Sequence, residues 1–294
     1  MIEYPNVKIN IGLNIIRKRE DGYHDIKTLF VPYFGIKDEL EIITGDDFSR
    51  TSAKLFSIYG QQYYNGTPCL VQKISSDGKI MITIARRQGV DWDALSDLSI
   101  KAYQVLDKDF SLPPVKIFLE KLSPVGAGLG GGSSDAAFAL KMFNQLFSLN
   151  LSKERLLEYA AGLGSDCPFF IYNIPMIGEG RGEKLKPYKL DNIDFGDNKK
   201  PCKYEIKLII PEQISVSTAQ AYKGVQPKVP AKDIEEILSL PISDWNGNLY
   251  NDFEETVFTS YPDLKKIKSS LYDTGAIYAA MSGSGSAIFA IYEN

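Results

Sequence analysis

Five of the seven residues at positions 126–132 are glycine, in the run Pro124-Val125-Gly126-Ala127-Gly128-Leu129-Gly130-Gly131-Gly132-Ser133-Ser134-Asp135-Ala136-Ala137. Such a run constrains the chain more than any other segment, because each glycine costs backbone entropy on folding and buries no side chain. Close approach of the backbone to another group is the better reason for it. The residues that follow carry a helical apolar face through Ala136, Leu140, Phe143 and Phe147, with Ser133 or Ser134 available as N-cap. A glycine loop that feeds a helix N-terminus presents unpaired N–H groups and the positive end of the helix dipole, which together hold phosphate. The competing reading is a tight turn that lets the helix pack through Ala136 and Ala137.

The kind of phosphate site narrows by exclusion. Gly126, Gly128 and Gly131 satisfy GxGxxG, but the acidic strand end that a dinucleotide fold needs about 20 residues on falls instead at a helix start near Ser152. An NAD-dependent oxidoreductase is therefore disfavoured. No Gly-Lys-Ser/Thr follows the loop, so it is not a Walker A motif. Asp194-Phe195-Gly196 spells the magnesium motif of protein kinases, yet His24 is followed by Asp25, and the His-Arg-Asp loop of those enzymes is missing.

With 294 residues the chain has the length of about two domains. A hydrophobic fraction of 44% with 24% charged residues is that of an ordinary globular protein. The net charge of -4 gives no overall attraction for nucleic acid or anionic lipid. Cys69, Cys167 and Cys202 are too few and too dispersed for a disulfide framework or a zinc site, and a single histidine, His24, excludes a multi-histidine metal site. Met-Ile-Glu-Tyr-Pro at the N-terminus lacks a signal pattern, and no run approaches the ~18 apolar residues of a membrane span. A cytoplasmic location with neither nucleic-acid nor membrane partners is expected.

Val7, Ile9, Ile11, Leu13 and Ile15 alternate with Lys8, Asn10, Gly12 and Asn14, which predicts a half-buried strand with Lys8 and Asn10 on one face. A returning strand is expected over 28–34, with His24 in the polar tip between the two. Turn signals at Asn65-Gly66 and Asp77-Gly78 make 40–87 read as a strand-rich meander. Helical spacing covers 96–107, and 115–121 returns to strand. A further helix is signalled from Ser152 through Leu156, Leu157, Ala160 and Ala161 and is stopped by Gly162 and Gly164, leaving Asp166 in a loop. Beyond 170 come short strands, a lysine-bearing stretch at 191–203, a strand at 204–210 and two or three helices. A closing hairpin at 275–292 contains Ser282-Gly283-Ser284-Gly285-Ser286. The pattern predicts an α+β architecture of two domains, divided between 150 and 170.

The loop at 124–137 resembles the central motif of the GHMP small-molecule kinases. Pro5-Asn6-Val7-Lys8-Ile9-Asn10 resembles that family's N-terminal strand motif, and Met281-Ser282-Gly283-Ser284-Gly285-Ser286 its C-terminal glycine motif. Three motifs in this order span nearly the whole chain. Within the family, Gly22-Tyr23-His24, Gly164-Ser165-Asp166-Cys167-Pro168-Phe169-Phe170 and Gly180-Arg181-Gly182-Glu183 are similar to the members that phosphorylate the 2-hydroxyl of a cytidine-diphosphate-linked methylerythritol, in the non-mevalonate route to isoprenoid precursors. The resemblance implies the two-domain GHMP fold, with an ATP-binding domain at 1–160, a substrate-binding domain at 161–294 and the active site in the cleft between them. It also implies ATP with Mg2+, and a monomer or homodimer.

By the same resemblance Lys8 and Asp166 flank the acceptor hydroxyl as the catalytic pair. Pro124, Gly126, Gly128, Leu129, Gly130, Gly131, Gly132, Ser133, Ser134 and Lys121 would hold the nucleotide. Asn10, Tyr23, His24 and Tyr222 would hold the acceptor, the aromatic residues around its cytosine. The chemistry is coherent: a carboxylate takes the hydroxyl proton, a lysine meets the developing charge, and positioning supplies most of the acceleration.

Each residue has a plainer rival. From alternation alone Lys8 is a solvated lysine, Asp166 a turn or capping residue, Lys121 a surface residue, and Tyr23 and Tyr222 half-buried packing. Asp135 reads as a dipole partner in the loop helix, or at most a nucleotide or magnesium contact. Asp97 stands where the family commonly has asparagine near the adenine, and 50–95 is longer than usual, either covering the nucleotide or forming a dimer contact. The alternatives in function are another GHMP kinase, which would not need Gly-Tyr-His, and a non-catalytic nucleotide sensor, which would be expected to lose Lys8 or Asp166.

Overall fold

The alternation at Val7–Ile15 belongs to a longer strand, Asn6–Lys18, which runs back along His24–Lys37. The computed structural model describes residues 1–45, 47–197 and 201–294, so positions 198–200 of the lysine-bearing stretch lie outside the described residues. Its contacts group the chain into two compact units. One comprises Met1–Asn6, Ile36–Ser123 and Gly131–Tyr172, and the other Val7–Gly35, Pro124–Gly130 and Asn173–Asn294. These are not the consecutive halves of a division at 160. The first two long strands join the later unit because His24–Lys37 pairs antiparallel with Met176–Gly180, setting Phe30 opposite Met176 and Thr28 opposite Gly178.

The first unit is built on a five-stranded sheet in the order Ile2–Glu3, Glu39–Thr44, Val115–Glu120, Ile80–Ala85 and Leu70–Ile74. Leu70–Ile74 and Ile80–Ala85 form the hairpin expected around Asp77-Gly78. The next pairing is parallel, Ile80–Ala85 against Val115–Glu120, and helix Leu98–Phe110 makes the crossover that a parallel pair requires. The segment 40–87 is therefore not a plain meander. It also contains a helix, Ser52–Tyr59, whose Leu55 and Tyr59 are buried one turn apart. Thr51 makes no side-chain cap; the carboxylate of Glu41, on a neighbouring strand, receives Arg50 N, Thr51 N and the Thr51 hydroxyl instead. A helix this short, capped from another element, leaves little local signal.

Helices Leu98–Phe110, Gly131–Leu146, Lys153–Leu163 and Cys167–Tyr172 complete this unit. Tyr103 and Phe143 meet edge to face with centroids 5.5 Å apart, both almost wholly buried. Truncating such a ring to alanine costs about 3–5 kcal/mol. The helix signalled from Ser152 begins one residue later, and Ser152 caps it, accepting from Arg155 N. The glycine-loop helix differs: it begins at Gly131, so Ser133 and Ser134 sit in its first turn rather than before it. Gly126, Gly128 and Gly130 all have positive φ, and this backbone turns directly into the helix without a side-chain cap.

The second unit contains two four-stranded sheets. One runs Lys184–Pro187, Met176–Gly180, His24–Lys37, Asn6–Lys18; the other runs Ile193–Asp194, Tyr204–Ile209, Ile288–Glu293, Tyr278–Met281. Among the described residues the α-helices that accompany them are Thr218–Gly224, Ile234–Leu238, Glu254–Ser260 and Pro262–Asp273. Leu13, Ile15, Ile26, Val216, Phe253, Val257, Met281 and Ile288 form a common core. No helix among the described residues is long and apolar enough to cross a membrane.

Candidate active site

Alternation makes Lys8 and Asn10 neighbours on one face of their strand, and Lys8 Nζ donates to Asn10 Oδ1 at 2.5 Å. That face is not solvated. Lys8 is 4% exposed and Asn10 2%, so the strand is buried on both sides. An ammonium held this deep in a polar setting is no ordinary surface lysine, since lysines are almost never buried without partners. The ammonium also lies over the Phe30 ring, with Nζ 5.4 Å from the ring centroid.

Three segments far apart in sequence meet around this strand. Lys8 N donates to Leu129 O at 2.9 Å, which pins the glycine loop to the strand. Asn10 N donates to Ser282 Oγ at 3.1 Å, joining the C-terminal glycine segment. Gly128, at φ +76°, lies so close to that segment that a Cβ would fall 2.3 Å from Ser282 O. Gly283, at φ +56°, would put a Cβ 2.9 Å from Gly128 O and 3.3 Å from Asn10 Oδ1. Asn251, buried, donates to Met281 O and Gly283 O and holds the segment from behind. The glycines thus permit backbone-to-backbone approach as well as leaving N–H groups unscreened by side chains. Pro124 and Gly130 are half-buried, Gly126 is exposed, and Leu129 is buried.

Aromatic residues in the same unit form a separate group. The rings of His24 and Tyr222 stack with centroids 4.9 Å apart and planes 22° from parallel, and Tyr222 meets Phe253 edge-on at 4.8 Å. Burial, with the charge of Lys18, lowers the His24 pKa and favours neutral imidazole. Tyr23 is 56% exposed, and the Arg181 guanidinium lies over its ring at 5.1 Å. Tyr222 accordingly packs on His24, while Arg181 covers Tyr23.

In the first unit, the loop helix opens with Gly131 against the strand end. A Cβ there would lie 2.3 Å from Ser123 Oγ and 3.1 Å from Lys121 Nζ. Lys121 is not a surface residue: its ammonium donates to Asp38 Oδ2 at 2.5 Å and to Asp135 Oδ2, and all three side chains are nearly inaccessible. Burial disfavours the Lys121 ammonium, but the two carboxylates outweigh it and raise its pKa. Asp135 is raised as well, by burial first and then by the nearby charges of Asp38 and Asp97, against the opposing pull of Lys121. Asp38 also receives Leu122 N, Ser123 N and the Ser123 hydroxyl, fixing the entry to the glycine loop. No local pattern marks Asp38; its importance comes from residues more than eighty positions away.

Ser134 Oγ and Asp135 Oδ1 are buried with no hydrogen-bond partner among the described residues. Gly132 is exposed and Ser133 half-buried in the same turn. Asp97 caps helix Leu98–Phe110, accepting from Ser99 N at 2.9 Å and from the Ser99 hydroxyl. Asp166 is half-buried in the turn before helix Cys167–Tyr172, whose Cys167 thiol is pushed up to about 12, chiefly by burial.

Comparison with known proteins gives the family. Residues 97–173 match the GHMP kinases N terminal domain and 233–294 the GHMP kinases C terminal family. A 4-diphosphocytidyl-2-C-methyl-D-erythritol kinase of Bacteroides fragilis is 41% identical over 292 residues, which are 99% of this chain and 92% of that protein. A crystal structure of 4-(cytidine 5'-diphospho)-2C-methyl-D-erythritol kinase superposes with a TM-score of 0.69 at 27% identity, covering 99% of this chain and 89% of the other. The mevalonate kinase of Methanococcus jannaschii, 13% identical with a TM-score of 0.61 over 100% of this chain and 90% of its own, shares the fold. With two family domains matched in order and 41% identity to a kinase over nearly its full length, the chain belongs to the GHMP kinase family.

Proposed function

We propose that this protein transfers the γ-phosphoryl group of ATP to the 2-hydroxyl of 4-diphosphocytidyl-2-C-methyl-D-erythritol, as a cytoplasmic enzyme of isoprenoid-precursor synthesis. Identity to kinases of that name along almost the entire chain supports the reading. The observation that carries its cytidine part is the packing of His24 on Tyr222, which joins two residues remote in sequence into one aromatic surface. A pyrimidine is held by stacking and by hydrogen bonds to its edge, and neutral imidazole both donates and accepts. Tyr23 adds an exposed ring, and Asn10 an amide for the sugar alcohol.

Asp166 accepts the proton of the acceptor hydroxyl as its oxygen bonds to the γ-phosphorus and the bond to the β,γ-bridging oxygen breaks, releasing ADP. The Lys8 ammonium offsets the negative charge that gathers on the transferring group. Behind Pro124, which has no N–H and can only shape the loop's entry, the loop residues Gly126, Gly128, Leu129 and Gly130 and the helix start at Gly131, Gly132, Ser133 and Ser134 supply backbone and hydroxyl donors for the triphosphate. Lys121 acts behind them, keeping Asp38 and Asp135 in place. The orphaned oxygens of Ser134 and Asp135 suit Mg2+, which takes one or two protein oxygens and completes its shell with phosphate and water. When bound, Mg2+ neutralises charge on the β- and γ-oxygens.

The test is ATP-to-ADP turnover with magnesium in the presence of 4-diphosphocytidyl-2-C-methyl-D-erythritol, methylerythritol phosphate, homoserine or mevalonate. Turnover with the first alone is expected. Turnover with another acceptor would overturn the roles of Tyr23, His24 and Tyr222, and turnover with none would favour a nucleotide sensor.

A further inference from the structure

Thr28 is wholly buried in strand His24–Lys37, and its hydroxyl closes a chain of polar groups that starts at Lys8. Lys8 Nζ donates to Asn10 Oδ1 at 2.5 Å, Asn10 Nδ2 donates to Thr28 Oγ1 at 3.1 Å, and Thr28 Oγ1 donates to Gly12 O at 2.5 Å. A threonine hydroxyl has one proton and two lone pairs. With that proton committed to Gly12 O, the hydroxyl can only accept from Asn10. The amide must then turn its NH2 toward Thr28 and its oxygen toward Lys8. The reverse orientation would set NH2 against an ammonium, donor against donor.

The far end of the chain is equally fixed. Gly12 has φ +64°, and a Cβ there would lie 2.5 Å from Leu249 Cδ1 and 2.8 Å from Ile234 Cδ1. Position 12 therefore favours glycine for its conformation, and a Cβ there would also have to displace the side-chain ends of Leu249 and Ile234.

We propose that Thr28 is a positioning residue for phosphoryl transfer: it sets which way the Asn10 amide faces, and through that amide it holds the Lys8 ammonium in place. The inference rests on Lys8 being the residue that meets the developing charge. Thr28→Val keeps the shape of the side chain and removes the hydroxyl. Its kcat is expected to fall about 10- to 100-fold, the cost of a displaced catalytic group, with KM for ATP unchanged. Thr28→Ser, which restores the hydroxyl, is expected to recover most of that loss.

A double-mutant cycle with Lys8→Met separates positioning from a general structural role. In the Lys8→Met background, Thr28→Val is expected to cost no further activity, because the group it positions is gone. Equal fold-losses in both backgrounds, or a lowered Tm with kcat intact, would overturn the proposal. Full turnover by Lys8→Met alone would instead refute the role of Lys8 and remove the ground of the proposal. Impaired Lys8→Met with unimpaired Thr28→Val would refute only Thr28. Should Thr28→Val not fold, Thr28→Cys, whose thiol is a weak donor and acceptor, reads the same cycle.

Discussion

Replacing Lys121 by methionine removes the one ammonium that Asp38 and Asp135 share inside the first unit. Asp38 would keep three donors, Leu122 N, Ser123 N and the Ser123 hydroxyl, at 2.6–2.7 Å. Asp135 would keep none, because its other oxygen already has no partner among the described residues. Breaking a buried ion pair from one side typically costs about 3–5 kcal/mol, since the remaining charge has neither water nor counter-ion. Asp135 can limit that loss by taking up a proton.

The sign of the pH dependence follows. The Asp135 pKa is already raised above the ordinary carboxylate value, by burial and by Asp38 and Asp97, with Lys121 the opposing influence. Removing Lys121 raises it further. An acid whose folded pKa exceeds its unfolded pKa binds protons more tightly in the native state, so stability is lost as pH rises from the unfolded value through the folded one. The Lys121 pKa is itself raised, so the lysine contributes no pH dependence between mildly acid and neutral solution.

In urea unfolding followed by circular dichroism, Lys121→Met should be less stable than the parent by about 3–5 kcal/mol near pH 7.5, and by clearly less near pH 5. The double variant Lys121→Met with Asp135→Asn should recover most of the loss at the higher pH, because no unpaired charge remains. Parent-like stability of Lys121→Met would refute the ion cluster as the reason these residues are buried together. The same loss at both pH values would refute the protonation of Asp135.

Three further outcomes are expected. Asp166→Asn should lower kcat by about 10²- to 10⁴-fold, the usual worth of a positioned base, while leaving ATP affinity near the parent value in a binding titration; undiminished turnover would remove Asp166 from the proton path. His24→Ala should raise KM for the cytidylated acceptor more than it lowers kcat, and because its pKa is lowered, the parent's KM should stay flat from neutral pH upward and rise only in acid. An effect confined to ATP would contradict the aromatic site. Gly128→Ala forces a Cβ onto Ser282 O from a positive φ; a loss of about 2–4 kcal/mol in thermal or urea unfolding is expected, and unchanged stability would show that the glycine segments do not touch as described.

Much of the backbone around the candidate site was legible in one dimension because its causes are local. Glycine is favoured where φ is positive, as it is at Gly126, Gly128 and Gly130, so the run at 126–132 announces much of its own backbone path. Period-two alternation puts Lys8 and Asn10 on one face whatever else the strand does. The turns at Asn65-Gly66 and Asp77-Gly78 are written in their dihedrals, with both glycines and Asn65 at positive φ.

What the tertiary structure alone decided depends on segments that never neighbour each other in sequence. Pairing with Met176–Gly180 carried the N-terminal strands into the later unit and replaced a single cut near 160 with two interleaved units. Packing on both sides buried the polar face that alternation had left to solvent, and so turned Lys8 from a surface residue into a held ammonium. Helix Ser52–Tyr59 took its cap from Glu41, and Lys121 met Asp38 across 83 positions. Local sequence sets the backbone and the faces; which buried charge finds its partner is settled only when distant strands are brought together, because hydrogen bonds and ion pairs act over a few ångströms of space rather than along the chain.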